Sequence, residues 1–238
     1  VVSGGELYIT QSADFPMEKI YFHGNNKTPE EIIQAFEANI GHFIIDNIHE
    51  LDMVNHLAEE RGIEVDVLFR LKPGIKAHTH EYIQTGQEAS KFGMGVANGR
   101  AMEIIARAKE LPAVQVKGLH CHIGSQIFNL KSFAKSAEIL MDFCYQIRKE
   151  LDITIEILNL GGGIGIAYSE DDPTVSIRKY ALLVAESLKK KSEELNFPIP
   201  KIINEPGRYI VGTAGTTLYT VCSIKELRDV KTYVVVNG

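Results

Sequence analysis

The chain has 238 residues, of which 45% are hydrophobic and 24% charged, with a formal net charge of −6. This balance is typical of a globular protein with a substantial core, and the negative charge excludes attraction to nucleic acid or to an anionic membrane surface. Apolar runs are shorter than the roughly 20 residues of a membrane span. The three cysteines share no close spacing, which favours reduced thiols and a cytoplasmic location.

Strand-like and helical segments alternate along the sequence. In chain order, apolar runs predict strands at 19–23, 42–46, 65–73, 114–123, 155–160 and 201–205, and helical patterns lie at 28–39, 47–62, 99–111, 132–151 and 177–195. The first helix has the clearest start, because Thr28 is a typical N-cap, Pro29 suits the first helical position and Glu31 completes a capping box. Gly62 is the predicted end of the next helix.

This alternation predicts an α/β fold of parallel strands joined by crossover helices. A doubly wound sheet and a (β/α)8 TIM-type barrel both fit, and the barrel is favoured because polar residues follow several different strands. Since fewer than eight strands are recognised, we expect the barrel to be incomplete at its N-terminus. After Gly212 the pattern changes to two β-rich runs about a charged turn. We therefore predict a barrel portion over 1–212 and the beginning of a C-terminal β domain over 213–238.

The run LNLGGGIG ends one predicted strand with Gly161, Gly162 and Gly163. Consecutive glycines expose backbone N–H groups and allow an anion to approach closely, and phosphate is the usual ligand of such a loop. A tight turn without a ligand is the alternative interpretation.

The run NEPGRYIVG ends the last predicted strand with Glu205, Pro206, Gly207 and Arg208. The Pro-Gly turn keeps the carboxylate and the guanidinium from pairing along one helix face, so each is free to bind a different part of one ligand. Arginine binds phosphate or carboxylate groups in bidentate fashion, and glutamate accepts a hydrogen bond from a protonated ring nitrogen. A structural ion pair at the turn is the alternative.

The run GLHCHIGSQ places His120 and His122 two positions apart on a predicted strand, and therefore on the same side of it. One interpretation is a metal pair, as in metal-dependent barrel hydrolases, with Glu205 as the candidate third ligand. A second is that an imidazole lies flat on a ring while Ser125 contacts a phosphate. A third is that the histidines belong to the core.

Together the three strand ends supply a phosphate cradle, an imidazole, a carboxylate and an arginine, a set that suits pyridoxal 5′-phosphate. The segments HCHIGSQI, LNLGGGIGIAY and NEPGRYIVGTAGTTLY, preceded by YFHGNNKTPEE and HTHEYIQTGQEASKFG, resemble diaminopimelate decarboxylases. These are pyridoxal-phosphate-dependent lyases of the alanine-racemase-like fold. The resemblance covers nearly the whole chain, and HTHEYIQTGQEASKFG favours this branch over the ornithine decarboxylases.

The resemblance implies a cytoplasmic, homodimeric enzyme that converts the small amino acid meso-2,6-diaminopimelate to L-lysine and CO2 in lysine biosynthesis. It implies that His122 stacks on the pyridine ring of the cofactor and that Ser125 contacts the phosphate. The glycine run, Gly163 foremost, binds the phosphate through its backbone. No metal is implied.

The resemblance also implies roles for the last motif. Glu205 faces the pyridine nitrogen and keeps it protonated, so that the ring withdraws electrons from the carbanion left by CO2 loss. The backbone around Pro206 and Gly207 helps to hold the phosphate. Arg208 lies near the phosphate and binds the substrate carboxylate.

One family feature is absent. The family attaches its cofactor to a lysine in a Tyr-Ala-x-Lys-Ala motif on the first barrel strand. This sequence has no such motif, and the candidate lysines Lys27 and Lys91 lie in other motifs. We expect an internal portion of a decarboxylase, with that lysine before Val1 and further cofactor-binding residues and the proton-donating cysteine after Gly238. This chain alone is therefore expected to be inactive.

Two other functions stay open. One is a non-catalytic barrel that carries pyridoxal phosphate, against which the β-rich run after Gly212 argues. The other is a metal-dependent barrel hydrolase built on His120 and His122.

Overall fold

The computed structural model describes residues 1–75 and 90–238. Its strands are β1 (Tyr21–Phe22), β2 (His42–Ile45), β3 (Val65–Lys72), β4 (Met94–Gly95), β5 (Val114–Cys121), β6 (Ile157–Asn159), β7 (Lys201–Ile203), β8 (Val221–Leu227) and β9 (Lys231–Val236). Its helices are α1 (Gly4–Ser12), α2 (Pro29–Glu37), α3 (Ile48–Glu59), α4 (Arg100–Lys109), α5 (Leu130–Leu151), α6 (Ile177–Leu195) and α7 (Gly207–Val211). Most of the segment HTHEYIQTGQEASKFG, residues 78–89, lies outside the described residues.

The first seven strands form one parallel sheet. Its order is β1-β2-β3-β5-β6-β7, with the short β4 paired to β3. Because this order follows the chain without a reversal, the sheet has no switch point of the doubly wound kind. It curls as part of a barrel, and the predicted α/β class with parallel strands is confirmed.

Local signals set the helix boundaries. Thr28 caps α2, and the reciprocal bonds between Thr28 and Glu31 form the predicted capping box with Pro29 in the first turn. Glu31 also accepts the N–H of Gly4 at 2.8 Å, which ties α1 to α2. Gly62 adopts the left-handed conformation with φ of 61° just beyond α3, as predicted for a helix end.

All six predicted strands are longer than the observed ones, and two of the differences bear on the site. Met17–Lys19 forms a 3-10 turn, so the strand expected at 19–23 is reduced to β1. The strand expected at 114–123 ends at Cys121, so His122 lies just beyond β5.

The sheet has two unlike faces. The outer face packs against the helices in one large apolar core, which includes Phe43, Phe69 and Leu140. The inner face has a small cluster of Ile44, Leu68 and Ile157. Gly118 lies among them, and a Cβ there would be 2.4 Å from the carbonyl oxygen of Ile157. Side chains therefore fill the inner face at the level of Leu68, Gly118 and Ile157. Open space begins two residues further along these strands.

A buried ion pair holds three elements together near the ends of β1 and β2. The Lys27 ammonium donates to Glu50 Oε1 at 2.6 Å and to the carbonyl oxygens of Ile44 and Gly24 at 2.8 and 3.0 Å. The second oxygen of Glu50 accepts the N–H of Asp46 at 2.9 Å. All donors of the Lys27 ammonium are thus used in structural contacts.

The two β-rich runs after Gly212 form an antiparallel pair, β8 with β9, whose residues are exposed. Among residues 1–75 and 90–238, no helix combines the length and the apolar character that crossing a bilayer requires.

Replacing Lys27 by methionine leaves the Glu50 carboxylate buried without its cation. We expect the free energy of unfolding to fall by about 3–5 kcal/mol, measured by urea unfolding and far-ultraviolet circular dichroism, since the chain has no tryptophan. The control is Arg100→Met, which breaks the exposed pair with Glu103 and should change stability by less than about 1 kcal/mol. A loss below about 1 kcal/mol for Lys27→Met would contradict a structural role of the pair.

Candidate functional site

The register of three neighbouring strands aligns three polar side chains. Arg70 on β3 lies opposite His120 on β5, and His120 lies opposite Asn159 on β6. Side chains two positions apart on a strand share a face, and Leu68 and Ile157 two positions earlier belong to the inner cluster. Arg70, His120 and Asn159 therefore point into the curled sheet, directly above that cluster.

A cavity of about 510 Å³ opens at this level. Its volume lies within the roughly 300–1,000 Å³ of small-molecule sites. The side chains in its lining that can carry charge or donate hydrogen bonds are Glu6, Lys19, Tyr21, His23, Arg70, His120, His122 and Glu205.

The three motifs identified in the sequence meet at this cavity. The N–H of Gly162 donates to His122 Nδ1 at 3.3 Å, and the N–H of Glu205 donates to the carbonyl oxygen of Gly161 at 2.8 Å. The Gln126 side chain bonds both backbone groups of Ile166 at 3.0 Å, which joins the loop after β5 to the glycine run. The segments HIGS, GGG and EPGR are thus held in contact by hydrogen bonds.

Glycine is required at each position of the run. A Cβ on Gly161, Gly162 or Gly163 would lie 1.9–2.2 Å from a carbonyl oxygen of Cys121, Glu205 or Gly124. Gly161 and Gly163 also have positive φ, at 66° and 99°. The amides of Gly161 and Gly162 donate to Asn159 Oδ1 and His122 Nδ1, so these two bonds lie within the protein.

Glu205 is held mainly through one oxygen. Its Oε1 accepts from Asn159 Nδ2 at 2.7 Å and from His23 Nε2 at 2.8 Å. Its Oε2 lies 3.6 Å from His120 Nε2, beyond normal hydrogen-bond length. Burial raises the pKa of Glu205, but the imidazoles of His120 and His23 outweigh burial and hold that pKa well below the usual range. Glu205 is therefore ionised near neutral pH.

Both cavity histidines of β5 and its loop are neutral near pH 7. Burial lowers the pKa of His120 to about 3, partly opposed by Glu205. Burial and then the Arg70 guanidinium lower the pKa of His122 to about 4. Because His122 Nδ1 accepts the Gly162 N–H, its own proton sits on Nε2.

The other predicted site residues lie around the same loops. Ser125 is half-buried between Gly124 and Gln126, both of which have positive φ. Pro206 precedes the five-residue helix α7, which begins at Gly207. Arg208 is exposed on α7, where its guanidinium donates to the Tyr168 hydroxyl. Glu205 and Arg208 do not pair with each other in the described structure: the carboxylate faces the cavity and the guanidinium contacts Tyr168.

The residues that come together as potential metal ligands differ from the His120–His122 pair. Ligand atoms of His23, His120 and Glu205 lie within 4.8 Å of one another. The Arg70 guanidinium lines the same cavity, and its positive charge opposes a second cation. His120 Nδ1 has no hydrogen-bond partner among the described residues, although metal-binding histidines normally donate through their other nitrogen. Among the described residues, His120 therefore lacks the supporting hydrogen bond that is typical of a metal-binding histidine.

Sequence comparison identifies the family. The family described as "Pyridoxal-dependent decarboxylase, pyridoxal binding domain" matches residues 1–212. The chain belongs to this decarboxylase family. The family match agrees with the resemblance drawn from the motifs.

Several similar proteins are diaminopimelate decarboxylases. Diaminopimelate decarboxylase of Bacillus subtilis is 46% identical over 238 residues, covering 100% of this chain and 54% of that protein. The crystal structure of diaminopimelate decarboxylase from M. jannaschii with L-lysine matches with a TM-score of 0.86 at 42% identity, covering 100% of this chain and 54% of that chain. The Helicobacter pylori enzyme with L-lysine matches with a TM-score of 0.84 at 30% identity, covering 100% and 57%. The chain thus spans about half the length of the curated relatives that it matches.

Three residues that contact or face Glu205 were not singled out from the sequence: His23, Arg70 and Asn159. Arg70 had a signal, since it is a charged residue at an inward position of the apolar run VDVLFRL. Asn159 and His23 had none, because an asparagine or a histidine at a strand end is common and their roles depend on the position of Glu205.

The lowered pKa values of His120 and His122 predict acid sensitivity. An unfolded histidine titrates near 6.5, so between about pH 6.5 and pH 4 the unfolded chain binds protons that the folded chain does not. The free energy of unfolding should therefore decrease as pH falls through this range, and Glu205 with its lowered pKa acts in the same direction below about pH 4.5.

Urea unfolding at about pH 7, 6 and 5 measures this slope. His120→Asn should reduce it, whereas His56→Asn, at an exposed position on α3, serves as the control. A free energy of unfolding that is constant from pH 7 to 5 would contradict this, because it would show that the folded and unfolded chains take up protons equally over this range.

Proposed function

We propose that this chain is the cofactor-binding part of a diaminopimelate decarboxylase that uses pyridoxal 5′-phosphate. The observation that carries the proposal is the ionised Glu205 carboxylate, which lines the cavity and is fixed there by hydrogen bonds from Asn159 and His23. An ionised carboxylate at this position suits the protonated nitrogen of a pyridine ring. The identity of 37–46% to eight diaminopimelate decarboxylases supports the substrate.

The described side chains fit this cofactor. His122 is a neutral, half-buried imidazole on the cavity wall, which suits stacking on an aromatic ring. Glu205 holds a proton at the ring nitrogen through a charge-assisted hydrogen bond. We assign the phosphate to Ser125, the backbone of Gly161, Gly162 and foremost Gly163, and the turn at Pro206 and Gly207, with Arg208 nearby as the substrate-carboxylate ligand.

When bound, pyridoxal phosphate supplies an electron-withdrawing ring that stabilises the carbanion left by loss of CO2. The residues of this chain then have three tasks. His122 keeps the ring in a fixed plane, Glu205 keeps its nitrogen protonated, and the apolar inner cluster of Ile44, Leu68 and Ile157 closes the cavity floor to water. Fixing the ring plane orients the bond to be broken, which is a large part of catalysis in such reactions.

The finer assignments follow from the relatives. We propose meso-2,6-diaminopimelate as the substrate and L-lysine as the product, since three of the similar structures contain L-lysine. We also propose a cytoplasmic homodimer, with residues 213–238 belonging to a separate β domain. Because the cofactor-attaching motif is absent from this sequence, the chain alone should not release CO2.

Pyridoxine 5′-phosphate, which has no aldehyde, tests the site without a requirement for lysine attachment. We expect the chain to bind it in calorimetry. Glu205→Gln should weaken binding by roughly tenfold to a hundredfold, because a charge-assisted hydrogen bond is lost. Glu156→Gln, an exposed carboxylate paired with Lys117, should leave binding unchanged. Equal affinity for the two variants would refute the role of Glu205.

A chimera tests the substrate. This chain replaces the 46% identical segment of the B. subtilis enzyme, and L-lysine formation from meso-2,6-diaminopimelate is measured beside ornithine decarboxylation. We expect activity on the first substrate alone, and none from the isolated chain, in which borohydride with pyridoxal phosphate should leave no reduced lysine adduct. A stable adduct on Lys27 or Lys91 would overturn the expected inactivity.

A further inference from the structure

We propose that His23 is a positioning residue, which holds Oε1 of Glu205 so that Oε2 remains directed at the ring nitrogen. The inference rests on the proposed function. His23 lies just after β1, its side chain is 12% exposed, and it lines the same cavity as Glu205.

Oε1 of Glu205 is fully engaged. It accepts from His23 Nε2 at 2.8 Å and from Asn159 Nδ2 at 2.7 Å. The orientation of the Asn159 amide is settled, because its Oδ1 accepts the Gly161 N–H at 2.9 Å and its nitrogen must therefore face Glu205. Two donors on one oxygen leave the other oxygen for a ligand.

A competing partner lies close to Oε2. His120 is 1% exposed, and within the described part of the chain neither of its ring nitrogens has a hydrogen-bond partner. Its Nε2 is 3.6 Å from Oε2, so a small rotation of the carboxylate would bring the two into a hydrogen bond. A buried polar group without a partner is unfavourable, which draws Glu205 toward His120. The hydrogen bond from His23 opposes this rotation, because it holds Oε1 in place. His23 follows β1 and Glu205 follows β7, which are the first and last strands in the order of the sheet.

Other charged and titratable groups surround this carboxylate. The groups that influence Glu205, or that it influences, include the Val1 amino group, Tyr21, His23, Arg70, His120, Cys121 and His122. Of these, His23 donates a hydrogen bond to Glu205 within normal length, which separates its role from that of the general charge around the site.

His23→Phe removes the donor and keeps a ring against His120, whose centroid lies 4.8 Å from that of His23. We expect binding of pyridoxine 5′-phosphate by the full chain to weaken about tenfold. The ultraviolet spectrum of the bound ligand, followed against pH, should show a lower pKa of the ring nitrogen, because Glu205 has turned away from it. If the His23 donor affected only the charge of Glu205 and not its position, the substitution would instead raise the pKa of the ring nitrogen. The reason is that a carboxylate that loses a hydrogen bond becomes more basic.

His23→Gln retains an N–H donor and should restore both affinity and ring pKa to within about threefold of the original values. His56→Phe is the matched control, because His56 is exposed on α3 and does not line this cavity. Circular dichroism checks folding, and His23→Met replaces the phenylalanine variant if that variant does not fold.

The outcomes separate two failures. If the unchanged chain does not bind pyridoxine 5′-phosphate, the proposed function and this inference both fail. If the unchanged chain binds and the donor-free variant binds equally well with an unchanged or raised ring pKa, the inference alone fails.

Discussion

The parallel register of β3, β5 and β6 is the constraint on which the site depends. It sets Arg70, His120 and Asn159 side by side on the inner face. A shift of one residue in any of these strands would turn its side chain toward the helices and bury a polar group in the outer core. The apolar residues one layer below, Leu68 and Ile157, fix the register because they pack only when they too face inward. The alternation of inward-facing and outward-facing side chains along these strands therefore determines both the packing of the core and the geometry of the site.

Backbone proximity is the second requirement. The loops after β5, β6 and β7 approach so closely that the glycine run has carbonyl oxygens where Cβ atoms would be. This proximity lets a backbone amide of Gly162 reach His122 and lets Asn159 reach both Gly161 and Glu205. Asn159 thus connects the proposed phosphate loop to the proposed ring-nitrogen ligand. Bonds of this kind within the protein hold the three loops together, and a site whose groups are held in place loses less entropy on binding.

The sequence alone predicted most of the framework. Capping at Thr28, the alternation of strands and helices and the meeting of the HIGS, GGG and EPGR segments all followed from local patterns. It did not predict that β5 ends before His122, or that His120 and His122 have different partners, because strand ends depend on neighbouring strands. His23 and Asn159 were missed for a related reason. Each is an ordinary strand-end residue, and its role depends on a carboxylate 182 or 46 positions away that only the tertiary fold brings near.

The buried Lys27–Glu50 pair bears on the site as well as on stability. Ion pairs of this kind give little net stability, since desolvation of both charges offsets their attraction. Here, however, Glu50 accepts the N–H of Asp46, and the Asp46 carboxylate accepts the N–H of Gly93 and lies 3.9 Å from Arg70 Nε. The series runs from the Lys27 ammonium through the Glu50 and Asp46 carboxylates to the Arg70 guanidinium, whose charge in turn acts on Glu205. Removing Lys27 leaves Glu50 without its cation. Asp46, whose carboxylate lies beside Arg70, then loses the firm position of the Glu50 oxygen that accepts its N–H. The Lys27–Glu50 pair is therefore better explained as a contact that helps to position the Arg70 guanidinium in the cavity than as a source of folding energy.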